Sequence, residues 1–360
     1  MSLFRYVSRT MMATALASIS IGCVAQEPDQ CLEVSLTGTL GGPAFFKDLA
    51  GSGTLVKYGT VENGCSDIHL QFDIGRATGM RLSQLGVQAN QLDAAFITHL
   101  HSDHTVGLVD LMQTRWHFFG KPMDLVCSAD VQVGGDFARE MSCANFAENI
   151  TAAAELAGEI GQRSSESAKR EPTGPASIVN HIPVELPLPS TPKVVWQSGE
   201  VTVSAIASTH IPGHLSYRVD SPAGSVVVGG DAGNDKPAPP RDNSTSAAVE
   251  LLSEDADVLV HSTIHPVFGP ENGSTFPAPI FYRQSSSADL GSLAMRTGVK
   301  HLMLTHLIPV LNSDSHGIYP VPGGALSEAD YEASARETGY EGEVYVGKDL
   351  LTLRLLASDQ

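Results

Sequence analysis

Residues 98–108, Thr-His-Leu-His-Ser-Asp-His-Thr-Val-Gly-Leu, place His99, His101, Asp103 and His104 within six positions, directly after an apolar run from Leu92 to Thr98 that reads as a buried β-strand. Side chains two apart in extended backbone share a face, so His99 and His101 can hold one ion. The chain then turns as a loop and presents Asp103 and His104 toward a second ion. Imidazole with carboxylate suits Zn²⁺ or a similar transition metal, whereas Ca²⁺ or Mg²⁺ would call for oxygen ligands.

Later candidate ligands also follow apolar strands. Val203–Thr209 leads to His210, Ser225–Gly230 to Asp231, Asp257–Val260 to His261, and His301–Thr305 to His306. Any isolated histidine is weak evidence for a ligand, but four strands delivering ligand-type residues at the same end make a site. Around them, strands are expected at 32–40, 53–58, 68–74, 123–127, 193–197, 201–207, 215–219 and 225–228. Helices are expected at 77–85, 106–118, 246–253 and 288–296, with a long helical region at 131–160 and a closing strand pair at 343–346 and 350–355. Residues 161–178, polar with Pro and Gly, read as a flexible surface insertion. Each half runs from a β-meander into alternating helix and strand. That order fits an α/β fold of four layers, αββα, with two sheets packed face to face and the site at one edge.

The 360 residues are read as an export segment, 1–25, followed by one domain, 26–360. Arg5 and Arg9 form a positive region, and Met11–Ile21 is apolar but too short to span a bilayer. Two cleavage readings stand: Ile21-Gly22-Cys23 as a lipoprotein box, with Cys23 as a lipid anchor to the cell envelope, or Cys23-Val24-Ala25 before ordinary signal peptidase. Four cysteines remain after the segment, an even number in a chain bound for an oxidising compartment. Three pairings are open, and the simplest joins Cys31 to Cys65 and Cys127 to Cys143. The formal net charge of −18 repels phosphate backbones at long range, and no Lys/Arg cluster offsets it, so nucleic acid is not the expected partner.

The segments Phe72–Gly75, 98–108, Thr209–Val219, Val226–Asp231, Ala256–His261 and Leu302–His306 together resemble the metallo-β-lactamase superfamily. Within it, they resemble the branch holding ribonuclease Z and bacterial metal-dependent arylsulfatases. The resemblance implies that His99, His101 and His210 hold one Zn²⁺, that Asp103, His104 and His306 hold another, and that Asp231 bridges them. Asp73 orients a ligand by hydrogen bonding. Asp103 and His261 are the catalytic candidates, with His261 protonating the leaving group. Ser262-Thr263 stands where tRNA-processing members carry Glu-Ala-Thr, and only twenty residues separate His210 from Asp231, too few for the arm with which those members clamp tRNA. The activity implied is hydrolysis by a metal-bridging hydroxide of aryl sulfate or phosphodiester bonds in small anionic esters, by an exported enzyme that forms homodimers in related proteins. The alternatives are a lactonase or β-lactamase, a ribonuclease Z-like phosphodiesterase, and a metal-dependent binding protein. Trp116, His117, Phe118, Phe268, Phe276, Phe281 and Tyr282 are expected at the mouth, the last four within a lid at 266–283.

Overall fold

The computed structural model describes residues 1, 29–134, 139–187 and 190–359. Residues 2–28, which hold Cys23 and all but the first position of the expected export segment, lie outside the described residues.

The first half enters β1 (Gln30–Gly38) and returns antiparallel through β2 (Gly53–Thr60) and β3 (Ile68–Phe72). After α1 (Thr78–Gln84) it adds the parallel strand β4 (Ala94–Phe96). Two helices, α2 (Ser102–Thr105) and α3 (Leu108–His117), cross over to β5 (Met123–Ser128). A small hairpin, β6 (Val131–Val133) and β7 (Arg139–Met141), precedes α4 (Cys143–Leu156), α5 (Glu159–Glu166) and β8 (Val179–Val184). The second half repeats the plan. The meander β9 (Lys193–Ser198), β10 (Val201–Ala207), β11 (Leu215–Ser221) and β12 (Gly224–Val228) leads through α6 (Ala247–Ser253) to the parallel strand β13 (Val258–Ile264). Then come α7 (Ala278–Phe281), α8 (Ser287–Thr297), β14 (His301–Ile308), the two-residue strands β15 (Ser315–His316) and β16 (Tyr319–Pro320), α9 (Glu328–Arg336), β17 (Glu343–Val346) and β18 (Thr352–Leu356).

The sheets run β18-β1-β2-β3-β4-β5-β8 and β17-β14-β13-β12-β11-β10-β9. Strand alternation builds the layers. In β4, Ala94 and Phe96 face the core between the sheets, while Ala95 and Ile97 face outward to Leu82, Leu108 and Leu111 on α1 and α3. In β13, Val258 and Val260 face inward, while Leu259 packs among Val249, Leu290 and Tyr331 on α6, α8 and α9. This is the expected αββα sandwich.

Several local expectations are corrected. Residues 131–160 are not one helical region: alternating Val131-Gln132-Val133 pairs as a hairpin, and the helix starts only where the Ser142 hydroxyl accepts from the Asn145 amide. Much of 161–178 is helical rather than a structureless insertion, because Ile160 and Ile178 pack with Ala154 on Trp116 and an i,i+4 Arg163–Glu159 pair supports α5. The two closing strands do not pair with each other. β17 extends the second sheet, parallel to β14, while β18 crosses to the first and lies antiparallel to β1.

Cys31–Cys65 and Cys127–Cys143 are bonded, with Cα atoms 5.4 and 6.4 Å apart. Replacing both Cys127 and Cys143 by serine frees a loop of 16 residues. The variant is expected to lose about 3 kcal/mol of unfolding free energy, read from denaturant midpoints.

Candidate metal centre

Each ligand-type side chain reaches the site by a different local device. Asp73 follows β3 with φ 51°, a left-handed turn that aims its carboxylate under the next connection. There it accepts from the Thr98 amide and hydroxyl, both at 2.8 Å, and from His104 Nδ1–H at 2.7 Å. Asp103 and His104 lie on α2, one turn of helix, and not on the loop expected for them. That turn is seated by two bare glycines. A Cβ on Gly75 would lie 2.3 Å from the Asp103 carbonyl oxygen, and one on Gly107 would lie 2.1 Å from the Gly75 carbonyl oxygen.

His306 does not end its strand. β14 continues to Ile308, and the ladder with β13 pairs Ser262 with Thr305 but Thr263 with Leu307, so His306 is the extra residue of a bulge. With φ 48° its imidazole leaves the ladder and turns toward Asp103 and Asp231.

All seven expected ligands converge. His99 Nε2 lies 2.8 Å from His101 Nδ1, which lies 3.4 Å from His210 Nε2. His306 Nε2 lies 3.1 Å from Asp103 Oδ2, and His104 Nε2 is 3.6 Å from the same atom. Asp231 stands between the two groups, its oxygens 3.5 Å from His104 Nε2, 3.3 Å from His306 Nε2 and 3.8 Å from His210 Nε2. The distal nitrogens are fixed: His99 Nδ1–H donates to Thr98 Oγ1 and His210 Nδ1–H to the Arg283 carbonyl.

Burial pushes His99 well below the usual histidine value, aided by His104 and His214, and burial takes His210 down to about 4 against the pull of Asp231. These imidazoles are neutral and offer lone pairs. Burial opposes charge on His104 and His306 as well, but Asp231 with Asp73 for His104, and Asp231 with Asp103 for His306, hold both upward. Asp103 is brought to about 2: burial opposes this, and the His306 hydrogen bond with the charge of His104 prevails.

The donor set fits divalent metal. His104 Nε2 and Asp231 Oδ1 are buried without a hydrogen-bond partner, which is costly for polar atoms unless a cation completes them. The triads His99/His101/His210 and Asp103/His104/His306 each bring ligand atoms within 4.8 Å of one another. Because Asn in place of Asp73 offers one acceptor for three donors, Asp73→Asn is expected to weaken metal affinity by about 10- to 100-fold, measured by chelator competition.

His261 is placed differently from its expected role. Its ring is fully buried against Gly229, where a Cβ would lie 2.1 Å from His261 Cδ2, and its Nδ1–H donates to the Ser262 carbonyl. It is not among the residues lining the cavity over the cluster. Of the seven aromatic and imidazole candidates for the mouth, only Phe276 lines that cavity. Trp116 is core, its indole N–H donating to the Glu171 carbonyl, Phe268 and Phe281 fill a buried apolar cluster, and the remaining three lie elsewhere.

Sequence reasoning missed His214, whose Nε2 accepts from the Asp231 amide at 3.1 Å and whose Nδ1–H donates to Ser208 Oγ. The signal was present in His210-Ile-Pro-Gly-His214, a second histidine placed by a Pro-Gly turn. It also missed Arg283, Gln284 and His316, which line the cavity.

Comparison with known proteins agrees with this geometry. The family described as Anti-Pycsar protein Apyc1 matches residues 38–133. A ribonuclease Z of Mycobacterium sp. (strain KMS) is 29% identical over 322 residues, 89% of this chain and 94% of that protein. The metallo-β-lactamase fold protein YhfI from Bacillus subtilis superposes with TM-score 0.56 at 19% identity, covering 90% of this chain and 99% of its own. Zn²⁺-bound PqqB from Methylobacterium extorquens gives 0.51 at 12%, covering 89% and 99%. The sandwich that carries the two triads is thus the metallo-β-lactamase fold. The chain is ribonuclease Z-like in sequence over 89% of its length.

Proposed function

We propose that this protein is a metal-dependent hydrolase that cleaves phosphodiester or aryl sulfate bonds in small anionic esters, using two zinc ions. The observation that carries the reading is Asp231, standing between two complete ligand triads at the floor of a cavity of about 550 Å³. A cavity of that size takes a small ester rather than a folded polymer. Ions bound there would supply Lewis acidity and a water of lowered pKa. The chain's own part is to keep His99, His101 and His210 neutral, to keep Asp103 and Asp231 ionised, and to bury the cluster. Aryl alcohols leave without a proton donor, so this substrate class does not require His261 at the wall.

The connection between His210 and Asp231 supports a small substrate over tRNA, since it holds only the β11–β12 hairpin, with its turn at Ser221–Gly224. Export belongs to the same proposal. Two disulfides among the described residues suit an oxidising compartment, and fractionation of cells expressing the full chain tests it.

The decisive experiment is zinc analysis of the purified chain with turnover of bis(p-nitrophenyl) phosphate, p-nitrophenyl sulfate, a lactone and nitrocefin. Hydrolysis of either of the first two supports the reading. Zinc without turnover, or turnover confined to the lactone or nitrocefin, overturns it.

A further inference from the structure

We infer that Arg283 is the residue that recognises the substrate's tetrahedral oxyanion, and so selects charged phosphoryl or sulfuryl esters over neutral ones; the inference rests on the hydrolase reading above. Arg283, in the turn between α7 and α8, is the one Lys or Arg among the residues lining the cavity. Its guanidinium is half-buried and has no hydrogen bond or ion pair among the described residues, and Nε is wholly buried without a partner.

Other arginines, from the buried Arg115 to the exposed Arg354, are answered. Arg81 pairs with Asp349, Arg354 with Glu33, and Arg115 donates to the carbonyls of Ala89, Leu92, Lys121 and Pro122. A buried guanidinium Nε–H with no acceptor is unfavourable unless something outside the chain completes it. Its planar fork matches two oxygens of a phosphate or sulfate group.

The backbone at this point cannot drift. The Arg283 carbonyl accepts from His210 Nδ1–H, Gln284 Nε2–H donates to Asp231 Oδ2 at 3.4 Å, and Arg241 donates to the Tyr282 carbonyl at 2.7 Å. Gly233 permits the approach, since a Cβ there would lie 2.5 Å from the Arg283 oxygen. The backbone that carries the cation is therefore held in register with His210 of one triad and with the Asp231 carboxylate. Its charge also reaches His101 and His210, adding to the forces that keep them neutral.

Apolar lining completes the selection. Phe276 and Tyr319 meet edge to face at 5.1 Å, and Ile318, 86% exposed at the tip of the β15–β16 hairpin, forms the lip. An ester with its anion between Arg283 and the cluster would lay its organic arm on this surface.

The test uses the zinc-loaded full chain with Arg283→Gln and Arg283→Lys. Calorimetric binding of inorganic phosphate is measured beside turnover of anionic bis(p-nitrophenyl) phosphate and neutral p-nitrophenyl acetate. Arg283→Gln is expected to weaken phosphate binding and to lower kcat/KM for the diester, each by about 10- to 100-fold. Its loss on the acetate should be at least about tenfold smaller, its zinc content should match wild type, and Arg283→Lys should recover part of the binding. Equal phosphate binding by wild type and Arg283→Gln, or zinc lost together with binding, overturns the inference. A wild type that binds phosphate through Arg283 but cleaves no diester would instead sink the hydrolase reading alone.

Discussion

Asp103→Ala is expected to lower hydrolysis by at least about 10³-fold and to lower zinc content with it, because several kcal/mol of charge stabilisation depend on a complete ligand set. The carboxylate is ionised and buried, and it answers His306 Nε2 at 3.1 Å and His104 Nε2 at 3.6 Å. Alanine leaves both imidazoles facing a gap and removes one donor from the Asp103/His104/His306 triad. The side chain is not part of the apolar core, so far-UV circular dichroism should match wild type. Undiminished turnover by a correctly folded variant would remove the metal cluster from the chemistry.

The largest expected loss of stability is at Phe96. Its ring stacks on Phe72 at 4.7 Å and meets Tyr217 at 5.5 Å and Trp196 at 6.1 Å, joining the two sheets. Phe96→Ala removes an entire buried ring whose neighbours are held by their own strands, so little collapse can fill the space. A cost of about 3–5 kcal/mol follows, visible as a lower denaturant midpoint. The same variant should bind zinc more weakly, since Phe96 lies three residues before His99 and Tyr217 Oη–H donates to the Ile97 carbonyl beside it. Phe45→Ala is the contrast: that ring is 82% exposed, and its loss is expected to stay within about 0.5 kcal/mol.

The layered fold was legible because burial follows the strand period: Ala94 and Phe96 against Ala95 and Ile97, or Val258 and Val260 against Leu259. The ligands were legible because six crowded positions and a set of strand ends leave few other readings. What periodicity cannot register is a single residue leaving the ladder, so the left-handed bulge at His306 and the burial of His261 beneath Gly229 were hidden. His261 continues the outward face of β13 past Leu259 and does not line the cavity, and residue type alone gave no sign of this. Aromatic residues misled for a related reason. Trp116 and Phe268 sit near the motifs in sequence, but their apolar area is satisfied by neighbouring helices and loops. β17 and β18 looked like a pair because two short apolar runs flank a turn, and sequence carries no mark of which sheet has a vacant edge.

The placement of β18 bears on how the protein is made. β1 is the first described strand, yet among the described residues one of its edges is covered only by β18, and the Arg354–Glu33 contact spans 321 positions. A ribosome emitting this chain would leave that edge bare until nearly all of the second sheet had appeared. Contacts so distant along the chain form slowly, and an open strand edge readily recruits another polypeptide. Misassembly between nascent copies is therefore the hazard built into this topology, and overexpression should favour insoluble product over partly folded monomer.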